Sequence, residues 1–475
     1  MSPITATWRQ ALSLAIVCLI GSACGVSSET SEPAADKRPI IIDTDLDVSD
    51  VAAVAALLLD PSLDVRALTI APTGTGVTNC ASGRAVAQHV LEQLGASSVP
   101  YACGRTDPGP DGLPFPAEWR TAADTGWGMD MPPQPQSTMP DAATDLMARA
   151  IADSPQPPTI VVLGPWTNLE DAFAADPSLI GRVAGIYAMA GSVDAPGNVF
   201  VEGFDGDDRL EWNVAADPSA FTTVFQAELP LTLVPLDATD DVPVRPELLD
   251  RLAESGNVAG ANLIYELMLR VPSRIGEGQQ LWDELAALAF ADPSLVTWED
   301  ISLSASPEGL LDRTDGGRAV RVAMGAELGP TEDALVASLG RGPARGTPFT
   351  LTGELGVSWD GTTCSAAPVE PIAPGATSFI FQNLSGAPAA VVIVGLAPPH
   401  TWDELAALTA DPANMEEEPP NWVIEAASVF DEAGEPGEQA ATAIIAGGGT
   451  YGAVCMTGDW PDIDLVLSDP FEVAP

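Results

Sequence analysis

Between residues 38 and 340, short apolar runs rich in β-branched residues alternate with longer stretches of helical periodicity, and few architectures accept that order. The runs RPIIID, DVRALTIA, PTIVVLG, AGIYAMAG and LPLTLVPL read as buried strands, and DVAAVAALLLD, ASGRAVAQHVLEQLG and AATDLMARAIAD as helices between them. This alternation predicts an α/β fold, a mostly parallel sheet with helices on both faces. In such folds ligands bind beyond the carboxyl ends of the strands. After GRGPARGTP (340–348) the pattern changes to short alternating segments punctuated by Gly, Pro and Asn. A second, all-β sandwich domain is therefore expected over residues 345–475, with one helical patch, TWDELAALTAD, and a late strand, GTYGAVCM, that carries Cys455.

The first strand runs into an aspartate cluster. IIIDTDLDVSD (40–50) places Asp43, Asp45, Asp47 and Asp50 within eight positions. Like charges at that spacing cost on the order of a kcal/mol or more per pair unless a cation or proton intervenes. Helix capping would account for Asp47 and Asp50, but Asp43 and Asp45 precede the helix. Oxygen ligands around Ca²⁺ or Mg²⁺ account for the whole group. Zn²⁺ prefers His or Cys, and the chain has two histidines, His89 and His400.

The formal charge is -48, from 67 acidic against 19 basic residues, and Lys37 is the one lysine. Binding to nucleic-acid phosphates is disfavoured, since no basic patch is present. Arg9 precedes the apolar run ALSLAIVCLIGSA, which is the length of a signal-peptide core and too short to span a bilayer. The GSAC stretch that follows resembles a bacterial lipoprotein cleavage site, with Gly21 where a branched apolar residue is commoner. The expected organisation is a leader over 1–23, a lipidated Cys24, a flexible tether over 24–37, an α/β domain over 38–341 and the sandwich over 345–475. The protein is then an outward-facing membrane lipoprotein, or a secreted protein if Cys24 is not lipidated. Export permits disulfides, and the spacing of the remaining cysteines predicts Cys80–Cys103 and Cys364–Cys455.

IIIDTDLDVSDVAAVAALL resembles the opening of the nucleoside hydrolases, whose first strand ends in D-x-D-x-x-x-D-D. Three further segments follow in the family's order: VVLGPWTNLEDAFAADPSL, YAMAGSVDAPGN with LEWNVAADPSA, and LWDELAAL. Carried over by position, the resemblance implies a Ca²⁺ site formed by Asp45, Asp50, the carbonyl of Thr167 and Asp283. Asp43 would support that site from behind, and a water activated there, with Asp45 as base, would attack the anomeric carbon of a nucleoside. The resemblance also implies an oxocarbenium-like transition state, a sugar subsite of Met189, Asn198, Glu211 and Asn213, and release of ribose and free base. The sandwich is similar to cupredoxin-like domains, although a blue-copper site needs two His and a Cys around the metal and the two histidines of the whole chain argue against one.

Two positions depart from the family pattern. Ser49 stands where the family has the aspartate expected to take the sugar 2′-hydroxyl, and Asp47 replaces a glycine. A serine hydroxyl lacks the charge-assisted strength of a carboxylate. Trp282 occupies the place where one subgroup has a proton-donating histidine; the tryptophan resembles the purine-preferring subgroup, where it would stack on the base. Trp119 or Trp127 could face it across the base or could pack their loop onto the body. Glu211 and Asn213, on either side of Trp212, are expected to point the same way, as in a strand. Two functions are carried forward: hydrolysis of a nucleoside substrate, and Ca²⁺-dependent capture of a nucleoside or other glycoside without cleavage.

Overall fold

The structure is a computed structural model that describes residues 37–129, 131, 142–199, 209–255, 258–271, 274–275, 278–344, 353–369, 371–372, 375–397, 399–410, 422–431, 437–445, 449–458 and 464–473. The expected leader and Cys24 lie outside these residues, as does the expected tether except for Lys37.

Nine strands of the described residues form the larger sheet: β1 (Arg38–Thr44), β2 (Leu63–Ile70), β3 (Tyr101–Cys103), β4 (Thr159–Val162), β5 (Gly185–Met189), β6 (Leu231–Val234), β7 (Val296–Ala305), β8 (Leu311–Arg313) and β9 (Arg318–Ala326). They lie in the order β3-β2-β1-β4-β5-β6-β9-β7-β8. Pairing is parallel from β3 through β6 to β9. At the far edge β7 runs antiparallel to both β9 and β8. The short links after β7 and β8 dictate this, because a parallel crossover needs a dozen or more residues.

Ile40, Ile41 and Ile42 of β1 are fully buried, each worth about 1.5–3 kcal/mol relative to exposure. The helices that matter for the site are α1 (Val48–Leu59), α2 (Cys80–Gln93), α3 (Thr167–Ala175), α4 (Trp212–Ala216) and α5 (Trp282–Ala291). α1 is buried at every position from Val48 to Leu57. It packs against α5 and against the helices Ala259–Arg270 and Leu328–Leu339, which explains an alanine-rich helix apolar all round. No helix among the described residues is long and apolar enough to cross a membrane.

The C-terminal strands are β10 (Glu354–Trp359), β11 (Cys364–Pro368), β12 (Gly375–Asn383), β13 (Ala389–Leu396), β14 (Val423–Asp431), β15 (Gly437–Ile445), β16 (Gly449–Thr457), β17 (Asp464–Leu467) and β18 (Phe471–Val473). One sheet has the order β11-β10-β12-β15 and the other β14-β13-β16-β17, with β18 also on β16. Trp359, Phe379, Phe381, Val391, Ile393 and Tyr451 fill the core of this β unit. Both expected disulfides form: Cys364–Cys455 joins β11 to β16 across the two sheets, and Cys80–Cys103 ties the start of α2 to the end of β3. The helical patch is the helix Trp402–Thr409, opened by a capping box between Thr401 and Glu404.

Candidate active site

β1 delivers Asp43 and Thr44 to its carboxyl end, and three residues then carry the chain into α1. Leu46, fully buried, takes φ 61°. A branched residue in this left-handed region is a strained exception that the surroundings must enforce. Here the Leu46 amide donates to Thr44 Oγ1 at 3.0 Å and the Asp47 amide to Asp45 Oδ1 at 3.1 Å. Asp47 sits at the N-cap position of α1, yet its side chain makes no capping bond. The capping explanation of Asp47 therefore does not hold.

Asp43, Asp45, Asp50 and Asp283 are each at most 4 % exposed. Asp45 Oδ2 accepts from the Thr75 amide at 2.8 Å, and Asp50 Oδ1 accepts from the Asp45 amide at 3.1 Å and from the Thr44 hydroxyl. The packing of α1 on α5 sets Ser49 against Asp283, whose Oδ2 accepts the serine hydroxyl at 2.5 Å. Asp283 Oδ1 is buried without a partner. Burial, followed by repulsion from Asp47, pushes Asp45 up to about 6. Burial and the charges of Asp45 and Asp283 hold Asp50 well above the ordinary range, and burial does the same to Asp283 despite its bond from Ser49. Asp43, held by Thr69 and by Asn168 at 2.8 Å, is raised to about 7, chiefly by burial.

Thr167, fully buried, opens α3, and its hydroxyl lies 2.8 Å from both Asp217 Oδ2 and Thr73 Oγ1. Among the described residues no three acidic or imidazole side chains are already arranged as a finished cage. Most of their oxygens are engaged with amides and hydroxyls. The donor chemistry nonetheless fits a hard cation: carboxylates, hydroxyls and carbonyls, with two carboxylate oxygens, Asp43 Oδ2 and Asp283 Oδ1, left over at a depth where unpaired charge is costly.

On the sugar side, Met189 ends β5 and is buried. Asn213 Nδ2 donates to the carbonyls of Met189 at 3.1 Å and Leu163 at 2.7 Å. Glu211 and Asn213 do not alternate as in a strand. Glu211 is the N-cap of α4, accepting from the amides of Asn213 at 2.8 Å, Val214 at 3.2 Å and Gly191 at 2.9 Å. An acidic side chain immediately before the helix meets its free first-turn amides, and here that role overrides the apparent alternation. Burial raises Glu211 to about 7 against those three bonds. Asn198 Oδ1 accepts from the Trp212 amide at 3.0 Å, so the four expected sugar residues form one connected group.

Trp282 opens α5 and is half-buried, with the Arg274 guanidinium 5.0 Å from its ring centre. Arg274 in turn pairs with the fully buried Glu284 at 3.4 Å. Trp127 is buried in the main core and packs its loop onto the body, and does not offer a free face across from Trp282. The side chain of Trp119 lies outside the described residues. Leu46, Thr75, Asp217 and Arg274 also shape the site. The sequence carries no spacing that marks the first two; Asp217 lies in the DPSA stretch and Arg274 eight residues before Trp282.

The sequence model of the inosine-uridine preferring nucleoside hydrolase family matches residues 40–343. The chain belongs to this family and is an N-ribosyl hydrolase of ribonucleosides. It is 28 % identical over 264 residues to the pyrimidine-specific ribonucleoside hydrolase RihA of Photobacterium profundum, covering 54 % of this chain and 81 % of the relative. It is 30 % identical over 233 residues to RihA of Citrobacter koseri, covering 48 % and 70 %. Among solved structures, the inosine-uridine preferring nucleoside hydrolase of Bacillus anthracis superposes with a TM-score of 0.55 at 19 % identity, covering 64 % of this chain and 99 % of that one. The purine-preferring ribonucleoside hydrolase of Gardnerella vaginalis gives 0.54 at 21 %, covering 64 % and 98 %. At those identities the likeness speaks for the fold.

Proposed function

We propose that this chain is an exported, Ca²⁺-dependent hydrolase that splits purine ribonucleosides in preference to pyrimidine ones. The observation that carries the reading is the set of buried carboxylates gathered from α1 and α5 at the end of β1, with Asp283 Oδ1 unpaired. Asp45, Asp50, Asp283 and the carbonyl of Thr167 would hold the cation, and Asp43 would support them. Bound there, Ca²⁺ supplies a Lewis-acid charge that acidifies water and polarises sugar hydroxyls. Asp45 accepts the proton of the attacking water. Glu211, Asn213 and Asn198 bind the ribose hydroxyls, Met189 floors the ring, and the carboxylates stabilise positive charge developing on the sugar. Ser49, turned onto Asp283, offers the 2′-hydroxyl a neutral partner at most.

Purine preference rests on Trp282, a partly buried indole beside otherwise buried groups. It runs against the names of the RihA relatives and agrees with that of the Gardnerella vaginalis structure. Base release from a purine and pyrimidine panel, by protein lacking residues 1–37, decides it. Purine release should be faster and should stop with chelator. Replacing Trp282 with Ala should cost purine nucleosides about 10- to 100-fold in kcat/KM, the worth of one aromatic stack at about 1–3 kcal/mol, and pyrimidines less. Faster pyrimidine release, or equal losses for both classes, would remove the preference.

Export is supported by the two disulfides, which persist in oxidising compartments. The lipid anchor is tested by Cys24→Ser, which should move the full chain from the membrane fraction to the soluble one. An unchanged distribution would withdraw it.

A further inference from the structure

The loop after β2 wraps Asp45 closely. A Cβ at Gly74 would lie 1.9 Å from Asp45 Oδ2, and one at Gly76 would lie 2.3 Å from the Asp45 carbonyl oxygen. The Thr75 amide donates to Asp45 Oδ2, and the Val77 amide donates to the Asp45 carbonyl at 3.0 Å. This loop therefore sets where the Asp45 carboxylate points. What holds the loop comes from the helix Ala117–Asp124, about forty residues further along the chain.

Arg120, part-buried on that helix, donates from Nε to the Gly76 carbonyl at 3.0 Å and from Nη2 to the carbonyls of Pro72 at 2.6 Å and Val77 at 2.5 Å. Four residues later on the same helix, Asp124 accepts from the Thr78 amide at 2.9 Å, from the Thr78 hydroxyl and from Asn79 Nδ2 at 3.3 Å. The helix thus grips both halves of the loop from Pro72 to Asn79. The planar guanidinium spans three carbonyls that a lysine ammonium could not reach together. Its positive charge also acts on Asp45, opposing the effect of burial.

We propose that Arg120 is a positioning residue for the cation site, fixing the Pro72–Val77 loop so that the Thr75 amide presents the Asp45 carboxylate in its ligating orientation. The inference rests on the reading of Asp45 as a Ca²⁺ ligand. Residues that orient ligands in this way commonly change metal affinity or activity by about 10- to 100-fold when mutated. A residue that only braced the fold would change stability and leave affinity untouched at temperatures well below unfolding.

The test is Ca²⁺ titration by calorimetry on the folded protein, together with the melting temperature in chelator and kcat at saturating Ca²⁺. Arg120→Lys and Arg120→Gln should each weaken Ca²⁺ binding about tenfold or more, with kcat lowered and KM for the nucleoside nearly unchanged. Arg120→Lys keeps the charge, so a loss in both variants assigns the effect to the fork geometry. Thr78→Val, which removes the hydroxyl bond to Asp124 and leaves the two other bonds at that end of the grip, should weaken binding by a smaller factor and stands in if the Arg120 variants do not fold. Wild-type affinity and kcat in a folded Arg120 or Thr78 variant would overturn the role. Absence of Ca²⁺ binding by the unmutated protein would instead overturn the cation reading on which the role depends.

Discussion

Asp45→Asn should lower kcat/KM for ribonucleoside hydrolysis by about a thousandfold, within the roughly 10²–10⁴ that a positioned base contributes, while raising the melting temperature of the protein in chelator. Both effects follow from the same geometry. Asp45 is fully buried, feels Asp47 and Asp50, and is compensated by the Thr75 and Asp47 amides and the more distant Arg120. Asparagine keeps the shape and one acceptor oxygen and loses one of the two amide bonds, but it removes a charge from a crowded, buried site, where repulsion among carboxylates outweighs one such bond. The cation-free fold therefore gains stability that the enzyme gives up for function. Initial rates in Ca²⁺ and thermal unfolding in chelator check the pair. Wild-type rates would remove Asp45 as the base, and a lower melting temperature in chelator would remove the repulsion argument.

Local pattern revealed five strands of the parallel sheet, β1, β2, β4, β5 and β6, because the central ones are buried on both faces and read as apolar runs; β3, only three residues long, and β9, with Arg318 and Arg321 in it, carry no such signal. Repulsion within IIIDTDLDVSD likewise marked the cluster as a place where a cation or a proton must intervene, since four acids on one short segment need no tertiary knowledge to interpret. The disulfides were legible for a similar reason, since few cysteines leave few pairings once export is expected. What escaped depends on contacts distant in sequence or on backbone dihedrals. Nothing in the residue type marks Leu46 as left-handed, since a leucine rarely takes that conformation. Arg120 reads as an ordinary surface arginine until the chain folds it onto the carbonyls of residues 72–77. Glu211 looked like part of an alternating strand because a helix of five residues, Trp212–Ala216, is too short to display a 3.6-residue period.

Ca²⁺ supplied at about 100 times its dissociation constant should stabilise the native protein by about 2.7 kcal/mol, and chelation should remove that increment together with hydrolysis. The size of the effect follows from mass action, since the unfolded chain spreads Asp45, Asp50 and Asp283 across more than two hundred residues of sequence and retains no comparable site. Mg²⁺ should restore little of either, because it demands tight octahedral geometry and gives up water reluctantly, whereas Ca²⁺ accepts the looser set that carboxylates and a carbonyl offer. The discriminating comparison is the four-way one: wild type and Asp45→Asn, each with Ca²⁺ and with chelator. Wild type should melt higher with Ca²⁺. The variant should melt higher than wild type in chelator and gain less from Ca²⁺, so the two curves converge or cross as the cation is added. A Ca²⁺ increment of equal size in both proteins would place the bound cation away from Asp45. Hydrolysis that survives chelation in the wild type would show that the buried carboxylates act without a cation, and their clustering would then need protons where this reading puts Ca²⁺.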